Sequence, residues 1–221
     1  MSTFTAPIRD ILFAMNEAGD LPSVAALPGY ADATPDLVEA ILEEAGKFAS
    51  GVLAPLNAVG DRQGTTWAEG SVSTAPGVAS AYRDFINGGW NALGGNPEFG
   101  GQGLPQIVST PIVELWGAAN MAFALCHFLT LGAVLAIDNH ASDDLKAIFL
   151  PNMISGAWTG TMNLTEPQAG SDLAALRTRA VREGDHYLIT GTKIFITWGE
   201  HDVAENTIHL VLARLPDAPA G

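Results

Sequence analysis

The stretch Thr165-Glu166-Pro167-Gln168-Ala169-Gly170-Ser171-Asp172 combines a rigid proline, a permissive glycine and two hydroxyl side chains. Such a loop can turn its backbone N–H groups toward a bound ligand. Further along, Lys193-Ile194-Phe195-Ile196-Thr197 alternates like a strand, which predicts that Phe195 and Thr197 share one face. A ring and a hydroxyl on one face suit a planar ligand with polar edges. Taken alone, these residues also fit an ordinary loop and a buried aromatic.

The order and spacing of these two stretches resemble the acyl-CoA dehydrogenase family, in which TEPxAGSD precedes a (W/F)-I-T segment. Further segments are similar to the subgroup that contains the 3-methylmercaptopropionyl-CoA dehydrogenases. They set helix entry and loop shape, so acyl-chain specificity does not follow from them. These segments are APIRDILF at 6–13, LAPLN at 53–57, GDR at 60–62, GGW at 88–90 and NPEFGGQGLP at 96–105.

The resemblance implies a FAD site built from both stretches. Thr165 lies beside the pyrimidine side of the flavin, and Ser171 reaches both FAD and the CoA part of the substrate. Phe195 packs on the flavin, with Phe in place of the commoner Trp, and Thr197 places its hydroxyl near N5. The first stretch contacts FAD mainly through its backbone. The full predicted set is Met162, Asn163, Leu164, Thr165, Glu166, Pro167, Gln168, Ala169, Gly170, Ser171, Phe195, Ile196 and Thr197.

The implied reaction is the oxidation of an acyl-CoA to the 2,3-enoyl-CoA, with FAD accepting hydride and a glutamate removing the α-proton. No residue of this chain matches the position of that glutamate, so no catalytic residue is assigned. We expect the chain to be truncated before the family's C-terminal helical bundle, with little dehydrogenase activity by itself. The resemblance also implies an electron acceptor such as an electron-transfer flavoprotein, and a homo-oligomer for the full-length protein.

Two other classes of function stay open at this point. One is a flavoprotein of the same architecture with different chemistry, such as an oxidase or a monooxygenase. The other is a non-catalytic interaction module derived from this fold, because no catalytic base is matched. Flavin binding with oxygen consumption favours the first, and partner binding without flavin favours the second.

Composition excludes several broad classes of protein. Hydrophobic residues make up 48% and charged residues 15%, which favours a compact protein over a disordered one. The net charge of −14, with only ten Lys and Arg, disfavours nucleic-acid binding. Cys126 is the only cysteine, in an apolar setting that predicts burial. The five histidines lack metal-ligand spacing, and the N-terminus lacks a targeting pattern, so we predict no metal and a cytoplasmic protein.

The run from Leu115 to Ile137 contains no Asp, Glu, Lys or Arg and is long enough to cross a bilayer. It also contains Asn120, His127 and Thr130, and acidic residues flank it. No positive residue nearby could set a topology. We therefore predict a buried core helix and no membrane span.

The order of the predicted elements indicates an α+β fold: a helical domain followed by a β-barrel-like domain. The predicted divisions are an extension at 1–33, a helical domain at 34–157 and an incomplete β domain at 158–221. Predicted helices include 8–17, one that begins at Thr34-Pro35, 77–88, two long helices and one capped by Ser142. Predicted strands are 158–164, 176–181, 187–190, 194–197 and 208–213.

The loop from Gly94 to Gly103 carries five glycines, as expected where a backbone turns tightly or approaches another group closely. It lacks the flanking strand of a dinucleotide-binding loop, so we do not interpret it as a phosphate site. The family resemblance places this loop near the acyl pocket, lined by Glu98 or Phe99.

Overall fold

The structure is a computed structural model that describes residues 4–219. Residues 1–3 of the predicted extension and 220–221 of the predicted β domain lie outside the described residues. As far as Ser155 the chain is mostly helical. The helices are α1 (Ile8–Glu17), α2 (Leu21–Ala25), α3 (Pro35–Phe48), α4 (Ala54–Gln63), α5 (Val78–Asn87), α6 (Gln106–His140) and α7 (Asp143–Ser155).

The strands form three separate two-stranded sheets in the described part of the chain. β1 and β2 form an antiparallel hairpin, β3 pairs with β6 in parallel, and β4 pairs with β5 in an antiparallel hairpin. The predicted order of helices followed by strands is confirmed. No closed barrel forms among residues 4–219, because closure needs continuous strand pairing around a ring. The strands are β1 (Thr66–Ala68), β2 (Ser71–Ser73), β3 (Trp158–Asn163), β4 (Arg179–Glu183), β5 (His186–Thr190) and β6 (Asn206–Val211).

Helix α3 begins as its sequence predicts. The Thr34 hydroxyl accepts a hydrogen bond from the Leu37 amide at 3.3 Å, and Pro35 occupies the first turn, where its missing N–H costs nothing. The helix passes through a π-helical turn, Ala49–Leu53, into α4, whose first turn contains Pro55. The β1–β2 hairpin follows α4, and the sequence pattern did not indicate it.

Helix α6 is two helical halves joined at Asn120, which has non-helical backbone angles of φ −158° and ψ 90°. The Asn120 side-chain oxygen accepts from the Phe123 amide at 3.1 Å, so Asn120 caps the second half. Its side-chain amide donates to the Leu53 carbonyl at 3.2 Å and ties the kink to the π-helical turn. Two long helical segments occur as predicted, but the uncharged run 115–137 does not form the second one by itself, because the kink at Asn120 lies inside it.

Helix α6 also connects two hydrophobic clusters. Its first half and its kink pack with α3 and α5 around Phe85, whose ring meets Trp116 and Phe123 edge to face. Its second half packs with α7, β3 and β6 in the second cluster. By length and hydropathy alone α6 could cross a membrane, but half of its most apolar window is buried within the protein. This burial agrees with a core helix.

Strand β3 approaches α6 closely because Gly160 has no side chain. A β-carbon added there would lie 2.6 Å from the Ala133 β-carbon. The Gly160 amide donates to the Thr130 hydroxyl at 3.0 Å, and that hydroxyl donates in turn to the Cys126 carbonyl of α6 at 2.8 Å. The contact of Gly160 with α6 fixes β3, and the loop that follows it, against the helical part of the molecule.

Candidate functional site

The loop that follows β3 contains a tight turn at the predicted cofactor stretch. Glu166 and Ala169 exchange backbone hydrogen bonds of 2.9 and 3.0 Å, with Pro167 and Gln168 at the exposed tip. Proline pre-sets the backbone angle that such a turn needs. The turn presents Gly170 and Ser171 to solvent on its outgoing side.

The Glu166 carboxylate lies inside the protein and is 3% exposed. It accepts hydrogen bonds from the Arg177 amide at 2.7 Å and the Thr178 amide at 2.9 Å. It also accepts from the Gln168 side chain at 2.6 Å and from Lys193 Nζ at 2.9 Å. Burial raises the pKa of Glu166, but hydrogen bonds from Thr178, Lys193 and Arg177 outweigh it, so the pKa lies well below its ordinary value.

Lys193 joins the two predicted stretches. Its Nζ donates to Glu166 and also to the Leu164 carbonyl at 2.9 Å. Next to it, the Ile194 amide donates to the Thr165 carbonyl at 3.0 Å. The structure thus brings the 162–171 loop and the 193–197 segment side by side, although more than twenty residues separate them in sequence.

The segment 194–197 is not a strand, and the prediction of one is wrong. Phe195 and Trp198 have φ values of 59° and 53°, in the left-handed region that interrupts extended backbone. The Thr197 carbonyl accepts a hydrogen bond from a side chain, the Thr161 hydroxyl, at 2.9 Å. In the described chain this segment pairs with no β-strand. Phe195 and Thr197 are both exposed, but the shared strand face predicted for them falls with the strand.

The surface between the two stretches has the donor set that a large planar polar cofactor needs. Phe195 presents its ring with 88% exposure. Within residues 4–219, the hydroxyls of Thr165, Ser171 and Thr197 make no hydrogen bond to the protein, so they are available to a ligand. Gly170 leaves room, since an added β-carbon would meet only Thr165 Cγ2, at 4.0 Å. The residues present therefore fit FAD.

The other predicted residues lie at the edges of this surface. The Met162 side chain packs beside Gly132 of α6, and the Asn163 side chain hydrogen-bonds His209, so both side chains have partners within the protein. Ile196 is half-buried and lies against Gly199. Leu164, Pro167 and Gln168 are exposed, and Ala169 is buried.

Sequence reasoning missed two residues that hold the 195–198 segment in place, Thr161 and Trp198. Thr161 is fully buried and holds the second stretch, and Trp198 packs its ring on the helical part. The opposite charges of Glu166 and Lys193 were visible in the sequence, but their pairing depends on the fold. No cluster of three metal-ligating side chains occurs in the part of the chain that the structure describes.

The five-glycine loop is held by contacts with itself. A β-carbon at Gly101 would lie 2.0 Å from the Gly95 backbone, so two backbone segments cross there. Phe99 packs against the second cluster, and Glu98 is exposed. Their assignment to an acyl pocket stays a prediction.

Comparison with known proteins matches two family models. The acyl-CoA dehydrogenase N-terminal domain matches residues 35–157, and the acyl-CoA dehydrogenase middle domain matches residues 161–221. The chain is 48% identical over 220 residues to the 3-methylmercaptopropionyl-CoA dehydrogenase of Ruegeria pomeroyi, covering 99% of this chain and 37% of that protein. It is 38% identical over 224 residues to a butyryl-CoA dehydrogenase of Syntrophomonas wolfei, covering 97% and 36%.

Solved structures share the fold. The butyryl-CoA dehydrogenase of Megasphaera elsdenii superposes with a TM-score of 0.66 and 25% identity, over 81% of this chain and 44% of that one. An acyl-CoA dehydrogenase of Bacillus anthracis complexed with FAD gives a TM-score of 0.68 at 22% identity, over 82% and 29%. The chain thus spans little more than a third of the length of the curated relatives described above.

Proposed function

Because the chain belongs to the acyl-CoA dehydrogenase family, we propose that it supplies part of the FAD and CoA site of an enzyme that oxidises an acyl-CoA to the 2,3-enoyl-CoA. One observation carries the proposal: the 162–171 loop lies against the 193–197 segment, and the ion pair of Glu166 and Lys193 joins them. The two stretches that the family resemblance assigns to FAD therefore lie side by side, with Gly170, Ser171, Phe195 and Thr197 exposed.

The residues of this surface have distinct roles in the proposal. When bound, FAD supplies a hydride acceptor. Gly170 and Ser171 offer backbone N–H groups, and the Phe195 ring offers a face on which a planar ring system can pack. With FAD bound, the Thr197 hydroxyl would donate a hydrogen bond to a polar edge of the flavin ring and would favour negative charge there. Ser171 also reaches the CoA part of the substrate.

The substrate and partner of this enzyme are part of the same proposal. The relatives named as acyl-CoA dehydrogenases support an acyl-CoA substrate. A structure described as an electron transferring flavoprotein of Acidaminococcus fermentans aligns with this chain at a TM-score of 0.61 and 26% identity. We propose an electron-transfer flavoprotein as the acceptor, and we assign no catalytic base to this chain.

Titration of the purified chain with FAD, followed by absorbance, tests the proposal. Gly170→Arg places a long side chain on the cofactor surface without a clash inside the protein, and we expect at least a tenfold loss of affinity, about the effect of 1.4 kcal/mol. Thr197→Ala removes one hydrogen bond, so we expect a loss of about fivefold.

Two matched variants control for general effects of the substitutions. Gly51→Arg adds the same side chain at an exposed glycine with no neighbour within 4 Å. Thr192→Ala removes an exposed hydroxyl next to Lys193. Both controls should bind FAD like the unmodified chain. A folded chain that binds no FAD, or site variants that bind like their controls, contradicts the proposal and favours the interaction module.

A further inference from the structure

Trp198 connects the end of the second stretch to the kink of α6. Its indole N–H donates to the Ala122 carbonyl at 2.9 Å, and its ring meets His201 edge to face at 5.3 Å. The ring also packs against the first hydrophobic cluster. Trp198 thus contacts the helical part, whereas its neighbours Phe195 and Thr197 are exposed.

The point on α6 that receives Trp198 is itself fixed. Ala122 lies two residues after Asn120, at the start of the second helical half. Asn120 is buried and is hydrogen-bonded both to Phe123 and to the Leu53 carbonyl. The acceptor carbonyl therefore lies on a helix start whose position is determined by the core.

The 195–198 segment is held from its other side by β3. The Thr161 hydroxyl, which is 0% exposed, donates to the Thr197 carbonyl. Trp198 and Thr161 together hold a backbone in which Phe195 and Trp198 adopt left-handed angles that non-glycine residues avoid. Such a conformation persists only where the surrounding contacts impose it.

A cavity of about 240 Å³ borders Trp198. Leu56, Val78, Asn120 and Phe123 line it, and Trp198 forms part of its wall. A change of Trp198 to a small residue would enlarge this cavity as well as remove the hydrogen bond. Trp198→Phe keeps a ring in the wall and removes the N–H, so it isolates the hydrogen bond.

We propose that Trp198 is a positioning residue for the FAD surface: its hydrogen bond to Ala122 fixes the 195–198 segment and so aims the Thr197 hydroxyl and the Phe195 ring. This inference rests on the proposed function, which supplies FAD as the ligand. The hydrogen bond that fixes the 195–198 segment is present in the protein without FAD. The inference assigns a role in cofactor geometry to a residue outside the predicted cofactor set.

The test compares Trp198→Phe with Trp67→Phe, which changes an exposed tryptophan of β1. FAD affinity is measured by titration, and amide hydrogen exchange is measured by mass spectrometry for peptides that cover 194–200. We expect Trp198→Phe to weaken FAD binding and to speed exchange in 194–200 by about fivefold each, the effect of one lost hydrogen bond. The visible spectrum of its bound flavin should also shift, whereas Trp67→Phe should match the unmodified chain.

The outcomes separate this inference from the proposed function. If the unmodified chain binds FAD and Trp198→Phe matches Trp67→Phe in affinity and exchange, the inference is wrong and the proposed function stands. If the unmodified chain binds no FAD, the proposed function fails. Exchange in 194–200 then still tests the role of Trp198. Faster exchange in Trp198→Phe supports that role, and unchanged exchange overturns it. If Trp198→Phe does not fold, Trp198→Tyr replaces it in the same comparison.

Discussion

Glu166 lies in the predicted cofactor stretch, but its side chain has a structural role inside the protein. It stands within the stretch that resembles a cofactor loop, yet its carboxylate accepts hydrogen bonds from Arg177, Thr178, Gln168 and Lys193. A buried carboxylate needs such partners, because an unsatisfied charge in the interior is costly. Glu166 therefore shapes the loop from inside, and the outward groups of Thr165, Gly170 and Ser171 are left for a ligand.

The lowered pKa of Glu166 predicts how stability depends on pH. A carboxyl group with a lowered pKa in the folded state stabilises the protein above its ordinary pKa, near 4.5, and loses that contribution as the pH falls below it. Urea unfolding of the unmodified chain and Glu166→Gln should show the variant less stable at pH 7. Their difference should shrink as the pH is lowered from about 5 toward acid.

Glu205→Gln controls for the loss of a negative charge, since Glu205 is exposed. It should unfold like the unmodified chain at every pH. A stability difference between the unmodified chain and Glu166→Gln that is constant from pH 7 to 4 contradicts the role given to the ionised carboxylate.

The five-glycine loop requires glycine where its backbone segments approach each other. Gly101→Ala places a methyl group onto the Gly95 backbone, which cannot move as a flexible side chain can. We expect a loss of about 2 kcal/mol in the free energy of unfolding, as for an overpacked core. Gly60→Ala, in α4 with no neighbour within 4 Å, should instead stabilise by about 0.5–1 kcal/mol. Equal effects of the two alanines in denaturant unfolding would contradict this account of the loop.

The kink of α6 gives a second prediction at this scale. Asn120→Ala removes a helix cap and the donor to the Leu53 carbonyl, so we expect a loss of about 2 kcal/mol. Asn139→Ala, which removes an exposed bond to the Leu135 carbonyl in the same helix, should change stability little. Chemical unfolding of both variants measures this, and a near-neutral Asn120→Ala would show that the kink does not depend on its cap.

Elements with strong local signals were predictable from the sequence. Helix α1 has the predicted bounds, and Thr34 caps α3 because its hydroxyl and Pro35 act within one turn. The strand predicted at 194–197 failed because side-chain contacts from Thr161 and Trp198 impose left-handed angles that local preference does not show. Likewise, the β1–β2 hairpin is short and exposed, so it has little hydrophobic alternation to reveal it.

At the scale of the whole molecule, α6 links the helical part to the candidate site. Its first half and its kink belong to one hydrophobic cluster, and its second half supports β3 in the other. The loop that follows β3 and the 195–198 segment are both fixed, directly or through β3, to this helix. The sequence showed which residues could contact a cofactor, but their meeting depends on contacts between residues far apart in the chain.

The most direct measurement is hydrogen exchange of the 221-residue chain with and without FAD, resolved to peptides. The central claim is that residues 162–171 and 193–197 form one cofactor surface. It predicts that FAD slows exchange in both segments together and leaves the β4–β5 hairpin unchanged. Protection of only one segment, or protection centred elsewhere while both segments exchange as before, would contradict it.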